Sequence, residues 1–293
     1  MSHNESSDIV QRKQRVSGIF DGAASTYGHV GPRIFSHFGR RIVEIAQIPS
    51  GSKVLDVATG RGALLYPAAE SVGPQGNVIG IDLSEMMVQE TSKELARKKM
   101  TPNVEVRLMD AEHLQFSDES FDYVLCGFAI FFFPQLYKAM AEFRRVLKPT
   151  GHICVSTFDK LFDDEWSWFY EIVKTYLPSE IEENQATESN GEPQPVFDTQ
   201  EGLKVIMNAA GFDDIQIISE TAEFVYATEE EFWSTLWSHG ARGTLEEIEQ
   251  ETGTDGLEKF KVDVFKKVSA IKQTDGLHQL VPVHVSLATK TKA

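Results

Sequence analysis

The sequence features best suited to chemistry are a glycine-punctuated turn and a carboxylate, each of which closes a short apolar run. The run Val54–Ala58 is followed by Gly60-Arg61-Gly62, and the run Val78–Ile81 is followed by Asp82. This order describes a strand, a tight turn beneath a helix N-terminus, and a second strand whose tip can hold a ribose. The spacing therefore predicts a site for a nucleoside-containing cofactor.

The turn differs from a dinucleotide-binding loop at one position. Such a loop has the pattern G-x-G-x-x-G, whose last glycine lets the helix pack close under a pyrophosphate, and here Leu65 takes that place. A smaller amino-acid moiety fits this turn, and Asp56 can accept hydrogen bonds from its ammonium group, directly or through water. Asp82 can accept from two ribose hydroxyls, and Asp110, at the tip of the third predicted strand, from an adenine amino group. S-adenosylmethionine fits these three positions, whereas a nicotinamide-dependent reductase is disfavoured.

From Lys53 onward the sequence alternates strand-like and helical patterns. We predict seven strands, at 53–58, 77–81, 103–108, 121–127, 152–158, 215–219 and 282–288. Helices are predicted near 62–72, 84–99, 135–147 and 199–210. Ser84 and Thr199 are candidate N-caps, and Thr228 with Glu231 fits a capping box. Because strands that alternate with helices pair in parallel through right-handed crossovers, we predict an α/β fold with a doubly wound, mostly parallel seven-stranded sheet and helical cap segments.

The predicted elements divide the chain into a core and caps. Further helices are predicted at 33–48, from Asp163 to Leu177, and at about 244–272, and the acidic, polar stretch 179–195 predicts a mobile loop. We therefore divide the chain into an N-terminal helical cap at 1–50, a cofactor-binding α/β core at 51–158, a cap helix with the mobile acidic loop at 159–200, a core helix and strand at 201–219, a helical cap insertion at 220–280, and the last core strand with a tail at 281–293.

The composition restricts the partners and the compartment. The 293 residues carry a formal net charge of −16, which repels a phosphate backbone and an anionic membrane. We therefore expect no nucleic-acid partner and no membrane insertion. Cys126 and Cys154 lie in apolar runs, which indicates buried thiols in a reducing compartment, and residues 1–8 lack the apolar core of a signal peptide. A cytoplasmic protein without a metal site is expected, and the sequence leaves a homo-oligomer open.

Five motifs occur in a characteristic order along the chain. They are Val54–Gly62, Asp82–Met87, Asp110–Leu114, Phe121–Val124 and Phe143–Gly151. Their combination resembles the class I S-adenosylmethionine-dependent methyltransferases, in particular the ubiquinone/menaquinone-biosynthesis branch with its small-molecule and natural-product relatives. The resemblance covers residues 18–158 well and 200–219 and 282–289 loosely. It implies a Rossmann-like methyltransferase fold with S-adenosylmethionine as cofactor, although 220–280 is longer than in simple relatives.

The resemblance also implies which residues hold the cofactor. It places the Gly60–Gly62 turn near the methionine moiety, Leu83 and Met87 beside the adenine, and Cys126–Phe128 near the sulfonium. Tyr27 resembles an N-terminal tyrosine that closes over the cofactor. The full predicted set is Tyr27, Asp56, Ala58, Thr59, Gly60, Gly62, Asp82, Leu83, Met87, Asp110, Ala111, Glu112, Cys126 and Phe128.

Methyl transfer from a sulfonium asks little of catalytic side chains. It is an in-line displacement, for which a protein supplies mainly proximity and alignment, up to about 7–11 kcal/mol, and a base is needed only if the nucleophile must lose a proton. His239, His29 and Tyr27 are the catalytic candidates. The stretch Cys126–Pro134 carries no side-chain amide or carboxylate, and this apolar floor suits a carbon or oxygen acceptor on a hydrophobic small molecule such as a secondary metabolite, a quinone or a prenyl-type compound.

Two other functions are alternatives at this stage. A methyltransferase acting on protein or tRNA needs a basic docking surface, which the net charge argues against. A non-catalytic cofactor-binding protein would keep the same motifs. Aromatic residues at helical spacing either roof a substrate pocket or pack the cap helices; they are Trp166, Trp168, Phe169, Phe232, Trp233 and Trp237.

Overall fold

A seven-stranded sheet is the framework of the computed structural model, which describes residues 3–100, 102–177 and 195–291. The strands are β1 (Lys53–Val57), β2 (Asn77–Asp82), β3 (Val104–Leu108), β4 (Phe121–Gly127), β5 (Leu147–Phe158), β6 (Asp213–Tyr226) and β7 (Leu277–Thr289). Their order in the sheet is β3-β2-β1-β4-β5-β7-β6. Strands β1 to β5 pair in parallel, and β7 runs antiparallel between β5 and β6. The predicted doubly wound, mostly parallel seven-stranded sheet is confirmed.

Helices flank the sheet and begin largely where the sequence predicts. The described α-helices are α1 (His3–Ala23), α2 (Ile34–Ala46), α3 (Leu65–Val72), α4 (Glu85–Lys98), α5 (Leu136–Val146), α6 (Leu161–Tyr176), α7 (Gln200–Ala209), α8 (Glu229–Trp237) and α9 (Arg242–Ile271, with a non-helical residue at Gly253). The predicted caps Ser84, Thr199 and Thr228 each accept a backbone N–H from three residues further on, at 3.1–3.2 Å. These bonds satisfy N–H groups that have no partner within the first helical turn.

Three strands are longer than predicted by several residues, and the first of them is β5, which covers 147–158 rather than 152–158. Strand β6 covers 213–226 rather than 215–219, and β7 covers 277–289 rather than 282–288, because their antiparallel ladder continues as far as Tyr226 opposite Leu277. Both ends of the predicted helical insertion at 220–280 are therefore strand rather than helix, and the helices within it are α8 and α9. The predicted mobile loop at 179–195 lies almost entirely outside the described residues, which resume at 195.

Three buried apolar clusters hold these elements together. One cluster lies on each face of the sheet, and a third joins α6, α8 and α9 to the far ends of β6 and β7. Helix α2 belongs to the second cluster, where Phe38 and Ile42 pack with Val54 of β1 and Leu65 of α3. The predicted N-terminal cap at 1–50 is thus two units, since α2 covers the sheet itself.

Helix α1 is the part of the N-terminal segment that lies over the strand tips. Its Asp21 carboxylate accepts from the Ser84 hydroxyl at 2.5 Å and from the Met86 N–H at 3.0 Å, at the start of α4. These bonds fix the end of α1 beside the carboxyl end of β2. Within the described part of the chain, no helix is long and apolar enough to cross a membrane.

Candidate active site

The carboxyl ends of β1, β2 and β4 meet at a first cavity of about 100 Å³, which the end of α1 covers. Parallel strands bring their carboxyl ends to one edge, so residues far apart in sequence converge there. Ten residues of the predicted cofactor set line this cavity: Tyr27, Ala58, Gly60, Asp82, Leu83, Met87, Asp110, Ala111, Glu112 and Phe128.

The other four residues of the predicted set lie outside the lining of the first cavity. Asp56 is only 1% exposed, and its Oδ2 accepts from the Thr59 hydroxyl at 2.5 Å. Cys126 is fully buried in the cluster on one face of the sheet. Gly62 has φ +81°, and a Cβ there would lie 2.7 Å from the ring of Tyr66. Asp56 holds Thr59 of the turn and Gly62 packs against Tyr66, whereas Cys126 belongs to the core of the sheet. Sequence spacing alone does not distinguish such positions from direct contact with a ligand.

Asp56 is an unusual carboxyl group for a buried strand. Its Oδ1 has no partner among the described residues. Burial raises its pKa to about 7 against the opposing effect of the Thr59 hydrogen bond, and the charge of Asp82 raises it further. The group therefore takes up a proton near neutral pH, because its carboxylate form is poorly solvated.

Asp82 has the geometry expected of a ribose acceptor. Its Oδ2 accepts from the Gly60 N–H at 2.8 Å and its Oδ1 from the Ser84 N–H at 2.9 Å. These backbone bonds fix the carboxylate plane while leaving acceptor lone pairs toward the cavity. Burial raises its pKa to about 6, and the same two backbone bonds oppose that shift.

The Gly60 turn meets the ring of Tyr27 across the first cavity. Gly60 has φ +50°, and a Cβ there would lie 3.8 Å from Cε1 of Tyr27. Tyr27 thus closes over the turn. Burial, and then the charge of Asp82, raise the pKa of Tyr27 well above its usual value. Its hydroxyl stays protonated at neutral pH, so that Tyr27 is unsuited to act as a base.

Lys13 also belongs to this site, although no local sequence pattern predicts it. Its Nζ donates to Oδ2 of Asp110 at 2.7 Å and also contacts the carboxylate of Glu112. Glu112 is buried, and its other oxygen accepts from the Gln135 N–H at 2.7 Å. Lys13 therefore lies across the end of the cavity where an adenine amino group was predicted. The slightly basic composition of the N-terminal segment is the one sequence feature that indicates an ion pair there, but it does not predict which carboxylates Lys13 contacts.

A second, larger cavity of about 470 Å³ opens beside the first. The two cavities share one wall, which is formed by four aromatic residues: Phe20, Tyr27, Phe128 and Phe132. Rings from the segment after β4, from α2 and from α6 form much of the rest of the wall. A volume of this size suits a small organic molecule.

Of the six aromatic candidates for a substrate roof, two line the second cavity. These are Trp166 and Phe169 of α6. Trp168, Phe232, Trp233 and Trp237 lie instead in or against the cluster that joins the cap helices. Helical spacing places residues on a face, but the packing partner of that face is set by the whole fold.

His239 lies in the wall of the second cavity, next to the shared region. Its ring is edge-on to Phe35 at 6.4 Å between centroids, and Phe35 stacks on Tyr27 at 5.4 Å. The Ala241 N–H donates to Nδ1 of His239 at 3.3 Å, so the proton of the neutral ring belongs on Nε2. Burial lowers the pKa of His239 to about 4. The side chain is therefore a neutral hydrogen-bond donor, and a general-base role does not fit it.

His29, the remaining catalytic candidate, lies outside both cavities. It is exposed, and its Nδ1 is 3.5 Å from the guanidinium of Arg33. Burial and the charge of Arg61 lower its pKa. The prediction of a catalytic His29 is thus not supported by its position, because the loop that carries it turns the ring toward solvent. In the described part of the chain, no three His, Cys, Asp or Glu side chains are grouped to hold a metal ion.

Comparison with known proteins agrees with this geometry. The Methyltransferase domain family matches residues 48–218. Aklanonic acid methyltransferase DauC of Streptomyces sp. (strain C5) is 39% identical over 145 residues, which cover 50% of this chain and 66% of that protein. Nocamycin O-methyltransferase of Saccharothrix syringae is 30% identical over 238 residues, covering 80% and 85%. The ubiquinone/menaquinone C-methyltransferase UbiE of Saccharophagus degradans is 29% identical over 220 residues, covering 71% and 87%.

Solved structures share the fold at lower identity. The YcgJ protein of Bacillus subtilis has a TM-score of 0.56 at 18% identity, covering 88% of this chain and 100% of that one. The [4+2]-cyclase SpnF has a TM-score of 0.50 at 17% identity, covering 88% and 81%. At such identities the likeness concerns the fold and leaves the reaction undetermined.

The chain therefore belongs to the S-adenosylmethionine-dependent methyltransferases. Its relatives are O- and C-methyltransferases of small molecules, and the predicted cofactor, enzyme class and small-molecule methyl transfer are confirmed. These relatives support the main prediction over a macromolecular methyltransferase or a non-catalytic cofactor-binding protein.

Proposed function

We propose that the first cavity binds S-adenosylmethionine and that the second binds a hydrophobic aromatic acceptor, which is methylated on carbon or oxygen. The observation that carries this proposal is the wall shared by the two cavities, formed by Phe20, Tyr27, Phe128 and Phe132. A donor in one cavity and an acceptor in the other would meet there without crossing solvent. Relatives named for aklanonic acid, nocamycin and ubiquinone/menaquinone are in keeping with a polyketide-like or quinone-like acceptor.

The polar groups of the first cavity fit the cofactor. The carboxylate of Asp82 is held in place to bind a ribose. Gly60 has no side chain, so that its backbone beneath Tyr27 is open to a ligand. Asp110 and Glu112 supply acceptors for the adenine side once Lys13 moves aside. Asp56 holds Thr59 and supports the turn from behind.

When bound, S-adenosylmethionine supplies a methyl group on a sulfonium that a nucleophile takes by in-line displacement. The chain's own contribution is alignment, because ordered aromatic walls hold the acceptor against the shared region. His239 donates its Nε2–H to an oxygen of the acceptor and so orients the ring system. The apolar walls exclude water from the reacting atoms, which protects the transfer from competing hydrolysis.

The net charge and the size of the second cavity separate this function from action on macromolecules. The net charge of −16 disfavours docking on nucleic acid, and the second cavity has the size of a small organic molecule rather than of a strand or loop.

Two measurements test the proposal. Calorimetry with S-adenosylhomocysteine should show binding, and a crystal structure of that complex should place the adenosyl group against Asp82 and the Gly60 turn. Methyl uptake is then measured with a panel of quinols, aromatic polyketides and indole alkaloids. An adenosyl group bound elsewhere, or a fully blocked second cavity in the complex, would contradict the assignment of the two cavities.

A further inference from the structure

The rim of the second cavity carries carboxylates without cations. Asp163 and Asp198 both line it, and in the described part of the chain neither side chain forms an ion pair or a hydrogen bond. None of the described lining residues is a Lys or an Arg. The electrostatic potential at this rim is therefore negative.

A third carboxylate of the same cavity, Asp159, is already engaged. Its Oδ2 lies 3.1 Å from Nε2 of His284, and its Oδ1 accepts from the Leu161 N–H at 2.9 Å. Asp163 and Asp198, in contrast, lie near enough for the negative charge of Asp198 to act on the carboxyl group of Asp163. Burial, and then Asp198 and Asp164, raise the pKa of Asp163. Two like charges near each other are costly unless a cation or a proton lies between them.

Aromatic faces surround these carboxylates. Phe162, Trp166 and Tyr170 are spaced by four residues on α6 and line the cavity on the same face as Asp163. Phe162 stacks on Phe158 at 4.3 Å between centroids and lies 5.7 Å from Trp166. Aromatic faces combined with a carboxylate favour an organic ammonium, because the ring quadrupole and the negative charge attract the same cation.

Two buried polar atoms in the same cavity indicate a ligand independently of the acidic rim. Thr157 is 1% exposed and Trp166 is 7% exposed. The Oγ1 of Thr157 and the Nε1 of Trp166 have no hydrogen-bond partner among the described residues. Buried polar groups are normally paired, so these two atoms are placed to pair with a ligand in the cavity that both residues line.

Resting on the proposed function, we infer that the methyl acceptor carries a protonated amine on or near its aromatic ring system. The ammonium lies at the rim between Asp163 and Asp198, against the aromatic face of α6. The ring system fills the inner part of the cavity, where the Trp166 N–H and the Nε2–H of His239 donate to its oxygen substituents. A free carboxylate at the rim is disfavoured, because the described lining supplies no Lys or Arg to compensate its charge there.

The test uses three probes that share one ring system and differ in charge. They are 9-(aminomethyl)anthracene, 9-anthracenemethanol and anthracene-9-carboxylate, and their binding to the full chain is measured by calorimetry with saturating S-adenosylhomocysteine. We expect the ammonium probe to bind roughly tenfold more tightly than the alcohol, and the carboxylate to bind most weakly. The alcohol or the carboxylate binding as tightly as the ammonium would overturn the inference.

Variants identify the groups responsible. Asp163→Asn together with Asp198→Asn should reduce the preference for the ammonium to less than about threefold. The matched control is Glu165→Gln, an exposed carboxylate of α6 outside the cavity lining, which should keep the preference. Affinity for S-adenosylhomocysteine reports folding in each variant. A full preference in the double variant would overturn the inference, whereas binding of none of the three probes would overturn the proposed acceptor cavity itself.

Discussion

The Nζ of Lys13 lies 2.7 Å from Oδ2 of Asp110 and so connects α1 to the segment that follows β3. The same ammonium contacts Glu112, whose side chain is 1% exposed whereas that of Lys13 is 17% exposed. A carboxylate this deeply buried needs a positive partner or hydrogen bonds to remain ionised. Lys13 thus closes the first cavity and compensates the charge of Glu112.

We predict that Lys13→Met destabilises the protein and that a second substitution restores it. Removing the cation leaves Glu112 buried without its ion-pair partner, which should cost about 2 kcal/mol of unfolding free energy. Adding Glu112→Gln removes the uncompensated charge and should recover most of that loss. Urea denaturation of the two single variants and the double variant measures the coupling. Additive losses in the double variant would contradict this role of Lys13.

Asp82→Asn should weaken cofactor binding strongly. The amide keeps one acceptor oxygen but loses the charge and the second acceptor, so affinity for S-adenosylmethionine should fall by about 2 kcal/mol. The control is Asp122→Asn on β4, whose carboxylate pairs with Lys148 at 2.7 Å and accepts from the Lys53 N–H at 2.8 Å, remote from the first cavity. Calorimetry should find the control unchanged, and equal losses in both variants would place the ribose elsewhere.

The buried carboxyl of Asp56 should make stability depend on pH. Its pKa is raised from 3.8 to about 7 by burial, so the folded protein keeps a proton that the unfolded chain releases. This contribution to stability is fully present below about pH 4 and is lost as pH rises through about 7. Asp56→Asn lacks that loss, so its stability relative to the parent protein should increase from pH 4 to pH 8, by on the order of 3 kcal/mol.

The control for this pH effect is again Asp122→Asn. Ionic and hydrogen bonding with Lys148 outweighs burial and lowers the pKa of Asp122, so the sign is reversed. Its stabilising contribution is present above about pH 4 and is lost as pH falls further, and the variant should be weaker than the parent only at the higher pH values. Chemical denaturation from about pH 2 to pH 8 measures both variants. Parallel curves for Asp56→Asn and the parent would show that Asp56 stays ionised.

Gly62→Ala should destabilise the protein more than Gly51→Ala. Both glycines have positive φ, +81° and +85°, but a Cβ at Gly62 would lie 2.7 Å from Tyr66, whereas Gly51 has open space. Each alanine must adopt a left-handed backbone conformation, which lowers the free energy of unfolding by about 1 kcal/mol. In Gly62→Ala a steric clash with Tyr66 lowers it by roughly 1–2 kcal/mol more. Thermal denaturation compares the two. Equal losses would mean that Tyr66 moves freely and that the turn is not held by packing.

His239 should remain neutral throughout the range in which histidines usually titrate. Burial lowers its pKa to about 4, so ¹⁵N NMR should show one Nε2–H tautomer from pH 5 to pH 8. His278 is a convenient contrast, because its bonds to Asp275 and Glu223 raise its pKa, which favours the protonated ring that His239 lacks. His239→Gln assigns the signal by its loss. A titration of His239 near pH 6.5 would restore it as a candidate base.

Local patterns were sufficient for the framework of this site. Alternating apolar runs and helices predicted the sheet, and Ser84, Thr199 and Thr228 were identified as N-caps because capping depends on residues only three positions apart. Asp82 and Gly60 could be placed at one edge because parallel topology brings strand ends together. Asp56 and Gly62, which were predicted from the same spacing, do not line the first cavity, since Asp56 is buried against Thr59 and Gly62 packs against Tyr66.

The amino-acid sequence by itself determined the parallel core, the turn with its carboxylates and the class of cofactor, because each depends on periodicity or on spacing within one strand–helix unit. The tertiary structure alone decided that Lys13 crosses to Asp110, that β6 and β7 continue to Tyr226 and Leu277, and that His239 stands as a neutral donor in an aromatic wall. Those features join segments separated by about fifty to a hundred residues or more. Such contacts form only when the whole core packs, and burial then sets the protonation of the groups it encloses.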